Sequence, residues 1–120
     1  MISPTGKGIR SDAEGDGGYG SARGSRRHNG VDYLCDVGQP IKAPFNMVIV
    51  RHSHPYTDPE MDGVAWKSGN STGRMWYFIP FESVIGEKVN EGEIIGHAQS
   101  VSEYHGLPLM GDHIHFKVST

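Results

Sequence analysis

Cysteine, long apolar runs and excess basic charge are all scarce in this sequence. Cys35 is the only cysteine, so no internal disulfide can form, and its neighbour Leu34 predicts a small buried residue rather than a reactive thiol. Apolar runs such as MVIV (47–50) are too short to span a membrane. Eleven Lys and Arg against fourteen Asp and Glu give a formal net charge of −3, which argues against a general nucleic-acid binder.

Helical periodicity is also missing. No stretch repeats apolar residues at i, i+3, i+4 and i+7 over three turns, whereas 17 glycines and 7 prolines among 120 residues indicate short strands joined by turns. The sequence therefore predicts an all-β fold of antiparallel sheets of short strands in one domain, 1–120. Residues 1–27 are glycine-rich and polar. They are predicted to be either disordered or a long ordered loop that packs on the domain and leads to a site.

Alternating apolar residues and turn signals predict where the strands lie. The expected elements are a turn and strand at 40–52, a hairpin of 63–67 and 73–79 joined by 68–72, short bent strands within 86–98, a terminal strand at 112–119, and loops at 53–63 and 100–111.

The terminal strand GDHIHFKV (111–118) carries two histidines one residue apart. Because side chains alternate along a strand, His113 and His115 share one face while Ile114 and Phe116 point to the opposite, core-facing side. A His-x-His pair with a clean apolar reverse face indicates a functional site, in which one imidazole could bind a metal while the other lies over the same cavity.

Such a site needs further ligands, and RHNGVD (27–32) offers His28 and Asp32. A fully extended segment would separate them by about 13 Å, too far for one ion, but Asn-Gly favours a turn or bulge that could direct both side chains inward. Nitrogen and oxygen ligands of this kind suit zinc, which in catalytic sites takes three protein ligands and leaves one position for water. The remaining histidines are predicted to lie at the rim, in solvent or in loops: His52, His54, His97 and His105.

The order of these motifs resembles that of the lysostaphin-type (LytM-like) zinc endopeptidases, which cut peptidoglycan cross-bridges. The resemblance covers nearly the whole chain through RHNGVDY (27–33), APFNMVIV (43–50), GEKVNEGEIIGHA (86–98) and GDHIHFKV (111–118). Residues 9–35 and 73–81 are also similar to the leukocyte cell-derived chemotaxins, a branch with the same fold. Those secreted vertebrate proteins use disulfides, so this chain is interpreted as a bacterial or bacteriophage relative of that branch.

The resemblance implies a grooved β fold and a role for particular residues. His28, Asp32 and His115 would hold one zinc ion, and His113 would handle the proton of the attacking water. The second catalytic histidine of the active peptidases is replaced here by Tyr77 or Phe78, depending on the register; the chemotaxin-like alignment favours Tyr77, whose hydroxyl can still donate to a developing oxyanion. Three arginines of the N-terminal segment are expected to meet acidic stem-peptide carboxylates: Arg23, Arg26 and Arg27.

Three functions follow as expectations. The first is a zinc-dependent endopeptidase that hydrolyses peptidoglycan. The second is a catalytically impaired zinc-binding module that recognises cell wall, glycan or a protein partner, and the third is a metal-free assembly protein, for instance in a phage tail. No basic-then-apolar leader follows Met1, so the protein is expected in a phage virion, released by lysis, or secreted with a leader absent from this sequence. A monomer is expected.

Overall fold

The computed structural model describes residues 1–12, 15–16, 22–23, 26–27 and 30–119, and the side chains of 1–10 and 30–119. Within these residues the regular secondary structure consists mainly of short strands, which confirms the predicted all-β class. In chain order they are β1 (Ser11–Asp12), β2 (Gly15–Asp16), β3 (Ala22–Arg23), β4 (Arg26–Arg27), β5 (Val31–Leu34), β6 (Pro40–Lys42), β7 (Met47–His52), β8 (Gly63–Ser68), β9 (Ser71–Trp76), β10 (Phe78–Pro80), β11 (Lys88–Val89), β12 (Ile94–Ala98) and β13 (His113–Val118).

Two antiparallel sheets form the body of the fold. The larger has six strands in the order β11-β7-β8-β9-β13-β5, and the smaller has three in the order β10-β12-β6. The predicted hairpin is present as β8 paired with β9. Two short two-stranded pairs, β1-β2 and β3-β4, lie in the N-terminal segment.

The core lies behind the His-x-His strand, as alternation along that strand predicts. Ile114 is fully buried and Phe116 nearly so. The ring of Phe116 stacks on Trp66, with centroids 5.5 Å apart and planes 3° from parallel. Cys35 is also buried, and burial, followed by the nearby Asp112 carboxylate, raises the pKa of its thiol to about 12, which agrees with an inert thiol.

The first ten residues are held on the sheets by backbone hydrogen bonds. The N–H of Lys42 donates to the carbonyl of Pro4 (2.9 Å), the N–H of Leu34 to Gly8 (2.8 Å), and the N–H of Arg10 to Asp32 (2.8 Å). Residues 1–10 therefore lie on the sheets, and this arrangement brings Arg10 to the edge of β5.

The predicted strand 73–79 is interrupted at Tyr77, so this part of the prediction is wrong. Tyr77 has φ +82°, and at this corner the chain leaves the larger sheet after β9 and enters the smaller one with β10. Its N–H donates to the carbonyl of Asp62 (2.8 Å) and its carbonyl accepts from the N–H of Gln99 (2.9 Å). A left-handed conformation costs a non-glycine residue about 1–2 kcal/mol, so these contacts hold a strained corner in place.

The segment 100–111, predicted as a loop, contains one turn of α-helix, α1 (Val101–His105). The Ser100 hydroxyl accepts from the N–H of Glu103 (3.1 Å), and Gly106 ends the helix at φ +67°. Asp112 Oδ1 accepts from the Ser102 N–H (3.0 Å), which ties the helix to the start of β13. No helix in the described ranges is long and apolar enough to cross a membrane.

Replacement of Gly73 by Ala tests the packing behind the His-x-His strand. A Cβ at Gly73 would clash with the Lys117 carbonyl oxygen and with the Trp66 ring, so backbone and ring would have to move. The free energy of unfolding in urea is expected to fall by about 1–3 kcal/mol. Gly8→Ala is the matched control because nothing lies within 4 Å of its added Cβ; equal losses in the two variants would contradict the packing.

Candidate functional site

Strand register brings the second histidine of the motif to a carboxylate. β13 lies between β5 and β9, and His115 is directly opposite Asp32 on one side and Trp76 on the other. Directly opposed residues of antiparallel strands share a face. His115 Nδ1 lies 2.9 Å from Asp32 Oδ1, and the Trp76 ring stacks on the imidazole with centroids 5.4 Å apart. Both His115 and Asp32 are buried.

His113 lies on the same face, next to this pair. Its Nε2 is 3.5 Å from Asp32 Oδ2, and its Nδ1–H donates to the Gly111 carbonyl at 2.8 Å. Burial lowers the pKa of His113, against the opposing effect of the Asp32 charge. The imidazole is thus neutral at neutral pH, with Nδ1 as the donor and Nε2 as the basic nitrogen.

A buried arginine completes the polar interior of the site. Arg10 is 2% exposed, and its Nε–H donates to Asp32 Oδ2 at 3.4 Å. A buried charge requires an opposite charge nearby, and the Asp32 carboxylate provides it. Sequence reasoning did not single out Arg10, because nothing in its local pattern distinguishes a buried arginine from a solvated one.

The sequence left open whether Tyr77 or Phe78 stands in the place of the second catalytic histidine. In the structure, Tyr77 faces His113 and His115. Phe78 is fully buried in the core. The edge of the Tyr77 ring lies against His113, with centroids 5.3 Å apart, and its centroid is 6.4 Å from that of His115. Burial, and then the hydrogen bond to Tyr56, raise the pKa of the Tyr77 hydroxyl well above its usual value. Tyr77 is therefore a neutral phenol able to donate a hydrogen bond.

Tyr56 and His105, which the sequence did not place in the site, extend it outward from Tyr77. The Tyr56 hydroxyl lies 3.0 Å from the Tyr77 hydroxyl and 2.9 Å from His105 Nε2. The Tyr56 ring stacks on Tyr104, with centroids 5.3 Å apart and planes 3° from parallel. His105 was predicted to lie in a loop; it is the last residue of α1.

The other histidines contact groups outside this arrangement. His52 Nδ1 lies 3.2 Å from the Asp62 carboxylate and its Nε2 lies 2.7 Å from Glu82. His54 and His97 are exposed. The positions of His52 and His54 agree with the predicted rim or solvent location, whereas His97, predicted in a turn or loop, lies in strand β12.

The predicted ligand set is described only in part. His28 and the side chains of Arg23, Arg26 and Arg27 lie outside the described residues. Within the described part of the chain, no group of three or more His, Cys, Asp or Glu side chains is arranged to hold a metal ion. Of the three predicted zinc ligands, the structure therefore describes Asp32 and His115, and His28 remains a prediction.

The two described donors fit zinc in chemistry and spacing. Asp32 Oδ1 and His115 Nδ1 are 2.9 Å apart, close to the roughly 3.3 Å that separates two ligands of one tetrahedral zinc with bonds of about 2.0–2.1 Å. A Cβ on Gly30 would lie 2.8 Å from His115 Nε2. The backbone at Gly30 thus passes directly against this imidazole, which a glycine allows.

Comparison with known proteins finds relatives of two kinds. No family model matches the chain. By sequence, the chain is similar to leukocyte cell-derived chemotaxin-2 of Bos taurus, with 29% identity over 108 residues that cover 88% of this chain and 69% of the relative. The same protein of Mus musculus is 28% identical over 106 residues, which cover 87% of this chain and 68% of the relative.

Two solved structures with a similar fold are catalytic domains. One is a mutant catalytic domain of the prophage-encoded protein EnpA from Enterococcus faecalis, with a TM-score of 0.62 and 21% identity over 92% of this chain and 78% of that one. The other is the catalytic domain of the antimicrobial peptidase lysostaphin from Staphylococcus simulans, with a TM-score of 0.59 and 25% identity over 90% of this chain and 78% of that one.

A double-mutant cycle tests the buried ion pair. With a chelator present, Asp32→Asn is expected to lower the free energy of unfolding by about 3 kcal/mol, because it removes a negative charge from beside the buried Arg10 guanidinium. Arg10→Met should also destabilise, and the double variant should lose less than the sum of the two single losses. Additive losses in urea unfolding would show that the pair does not act as a unit.

Proposed function

We propose that this chain, whose fold is that of the lysostaphin-type peptidase domains, is a zinc-dependent endopeptidase that hydrolyses peptide bonds of bacterial peptidoglycan. The observation that carries the proposal is the neutral, buried His113 imidazole, whose Nε2 lies 3.5 Å from a carboxylate that also contacts His115. A general base needs a basic nitrogen at working pH and a fixed orientation, and His113 has both.

Zinc is the cofactor that this donor set would take. His28, Asp32 and His115 would hold it, the last two from the adjacent strands β5 and β13. The chemistry that zinc supplies at such a site is acidification of a water and polarisation of a carbonyl. Arg10, on the far side of the Asp32 carboxylate, would hold that ligand in a single orientation.

The chain's own side chains would carry the proton and the developing charge. His113 Nε2 would take the proton from the attacking water and pass it to the leaving amine, while the bond from Nδ1–H to Gly111 keeps the ring in the correct tautomer. The neutral Tyr77 hydroxyl would donate to the oxyanion that forms on the scissile carbonyl. The stacked Trp76 ring keeps one face of His115 out of water.

Peptidoglycan as the substrate rests on the two catalytic domains of similar fold, one prophage-encoded and one from an antimicrobial peptidase. An open cavity of about 820 Å³ has room for an extended peptide; its described lining includes Tyr104, which stacks on Tyr56, but not Asp32, His113, His115 or Tyr77. Its lining includes Asp58, Glu60, Glu103 and Tyr104, a composition that suits a peptide with a basic residue. A protein acting on the wall would be carried in a virion, released by lysis or secreted.

Zinc-loaded protein is expected to release soluble muropeptides from purified cell walls. A chelator should stop the release, and added zinc should restore it. His113→Gln should lower the rate about 10²-fold or more, because the proton carrier is lost, while zinc content by elemental analysis stays the same. His54→Gln is the matched control, since His54 is exposed and outside the site. Full activity in His113→Gln would remove the role given to His113, and a preparation without zinc would favour a metal-free assembly protein.

A second candidate is a zinc-binding module without catalysis, which recognises cell wall, a glycan or a protein. Two observations favour it: Tyr77 stands where the peptidases that the sequence resembles have a histidine, and the sequence relatives are named as chemotaxins. Such a module would bind its target and leave it intact.

Substitutions at Tyr77 separate the two candidates. For an endopeptidase, Tyr77→Phe should lower kcat by about 10²–10³-fold, because the oxyanion loses a donor. For a binding module, the native chain should cleave nothing and Tyr77→His should turn hydrolysis on. The corner tolerates this change, since histidine is enriched among non-glycine residues at positive φ. The measurement that distinguishes the two candidates is muropeptide release by the native chain and by the variants Tyr77→Phe and Tyr77→His.

A further inference from the structure

The face of the larger sheet that carries His115 also carries three basic residues. Side chains alternate along a strand, so Lys117 shares the face of His115 on β13. Arg74 of β9 is directly opposed to Lys117, and directly opposed residues share a face. On β8, Lys67 is opposed to the residue of β9 two positions before Arg74, so it lies on this face as well. Lys117, Arg74 and Lys67 thus form a basic cluster, and the Cα atoms of Lys117 and His115 are about 7 Å apart.

The basic cluster has no carboxylate partner among the described residues. None of the ion pairs that the structure describes includes Arg74, Lys117 or Lys67, and the strands β8, β9 and β13 contain no Asp or Glu. Like charges directly opposite each other in an antiparallel pair are destabilising, so the opposed Lys117 and Arg74 repel each other in the ligand-free sheet. An anion bound between them would relieve that repulsion.

Arg74 is held in a position from which it can bind a ligand. Its side chain is half-buried, and its Nη1–H donates to the carbonyl of Gly73 at 3.1 Å. A guanidinium has five N–H donors in one plane, so this bond orients the group and leaves other N–H groups for a ligand. A planar carboxylate matches such a fork with two parallel hydrogen bonds. Lys117 and Lys67 add two ammonium charges beside it.

We propose that the basic cluster is a specificity site for a carboxylate on the substrate peptide, with Arg74 and Lys117 as its main contacts. The inference rests on the proposed peptidase function, and it names the substrate class as a peptide with an acidic residue or a free carboxylate near the scissile bond. An extended peptide rises about 3.3 Å per residue. If it runs along β13, the carboxylate belongs to a residue about two positions from the bond at the proposed zinc site. The sequence predicts carboxylate contacts only for Arg23, Arg26 and Arg27, so this site adds residues that the motif comparison does not include.

The affinities of two matched peptides test the site directly. The probes are short peptides of alanine and glycine, blocked at both ends, with one Glu or with Gln in its place. Titrated into the zinc-loaded chain, the Glu peptide should shift the ¹⁵N–¹H NMR signal of the Arg74 Nε–H. It should also bind about tenfold more tightly than the Gln peptide, the worth of one hydrogen bond between charged groups. Equal affinities, or no binding of either peptide, would overturn the proposal.

Variants that remove one charge locate the preference on the sheet. Arg74→Gln and Lys117→Gln should each lower the preference for Glu over Gln, and the double variant should abolish it. Each single variant also ends the repulsion between the two cations, so neither is expected to unfold the chain. Lys42→Gln is the matched control, because it removes the same charge from an exposed position of the smaller sheet. A preference that survives in the double variant, or that falls equally in Lys42→Gln, contradicts a site at the basic cluster.

Hydrolysis separates this site from the peptidase function. Cleavage of purified cell walls by a chain that does not prefer the Glu peptide would overturn the site and leave the function. A preference for the Glu peptide in a chain that cleaves no wall would overturn the function and leave a carboxylate site for a bound peptide. Inorganic phosphate is the alternative anion: an Arg74 signal that responds to phosphate but not to the Glu peptide would mean a phosphate site, which overturns the proposal.

Discussion

The position of β13 between β5 and β9 is the constraint on which the whole site depends. A shift of one residue in either pairing would turn the histidines to the core face and Ile114 and Phe116 to the site. The packing of Phe116 on Trp66 therefore fixes which face His113 and His115 occupy. Site residues and core residues alternate along β13, so a change of register would move both sets of side chains.

The site also depends on the balance between the buried charges of Asp32 and Arg10. Asp32 is buried and contacts Arg10 as well as the two histidines, so its negative charge is partly matched before any metal is bound. Among the side chains that the structure describes here, bound zinc and the protonated Arg10 would together outweigh the charge of Asp32. That charge would favour loss of a proton from a bound water and stabilise an oxyanion, at some cost to zinc affinity.

The all-β class and the His-x-His face could be predicted from the sequence, because both depend on local alternation. The corner at Tyr77 could not, since it follows from the joining of two sheets and contradicts the preference of tyrosine for negative φ. Helix α1 could have been predicted: Ser100 and Glu103 have the spacing of a capping box, and Gly106 is a helix-ending glycine. Arg10 and Tyr56 carry no local signal and join the site only through tertiary contacts.

A hydroxyl and an imidazole are not equivalent donors, and this difference explains why Tyr77 has partners. A ring N–H is fixed in the plane of the imidazole, so packing of the ring also aims the proton. A phenol proton rotates about its C–O bond, so packing of the Tyr77 ring against His113 fixes the oxygen but not the proton. The Tyr56 hydroxyl, 3.0 Å from that of Tyr77 and 2.9 Å from His105 Nε2, is a hydrogen-bond partner that restricts this rotation.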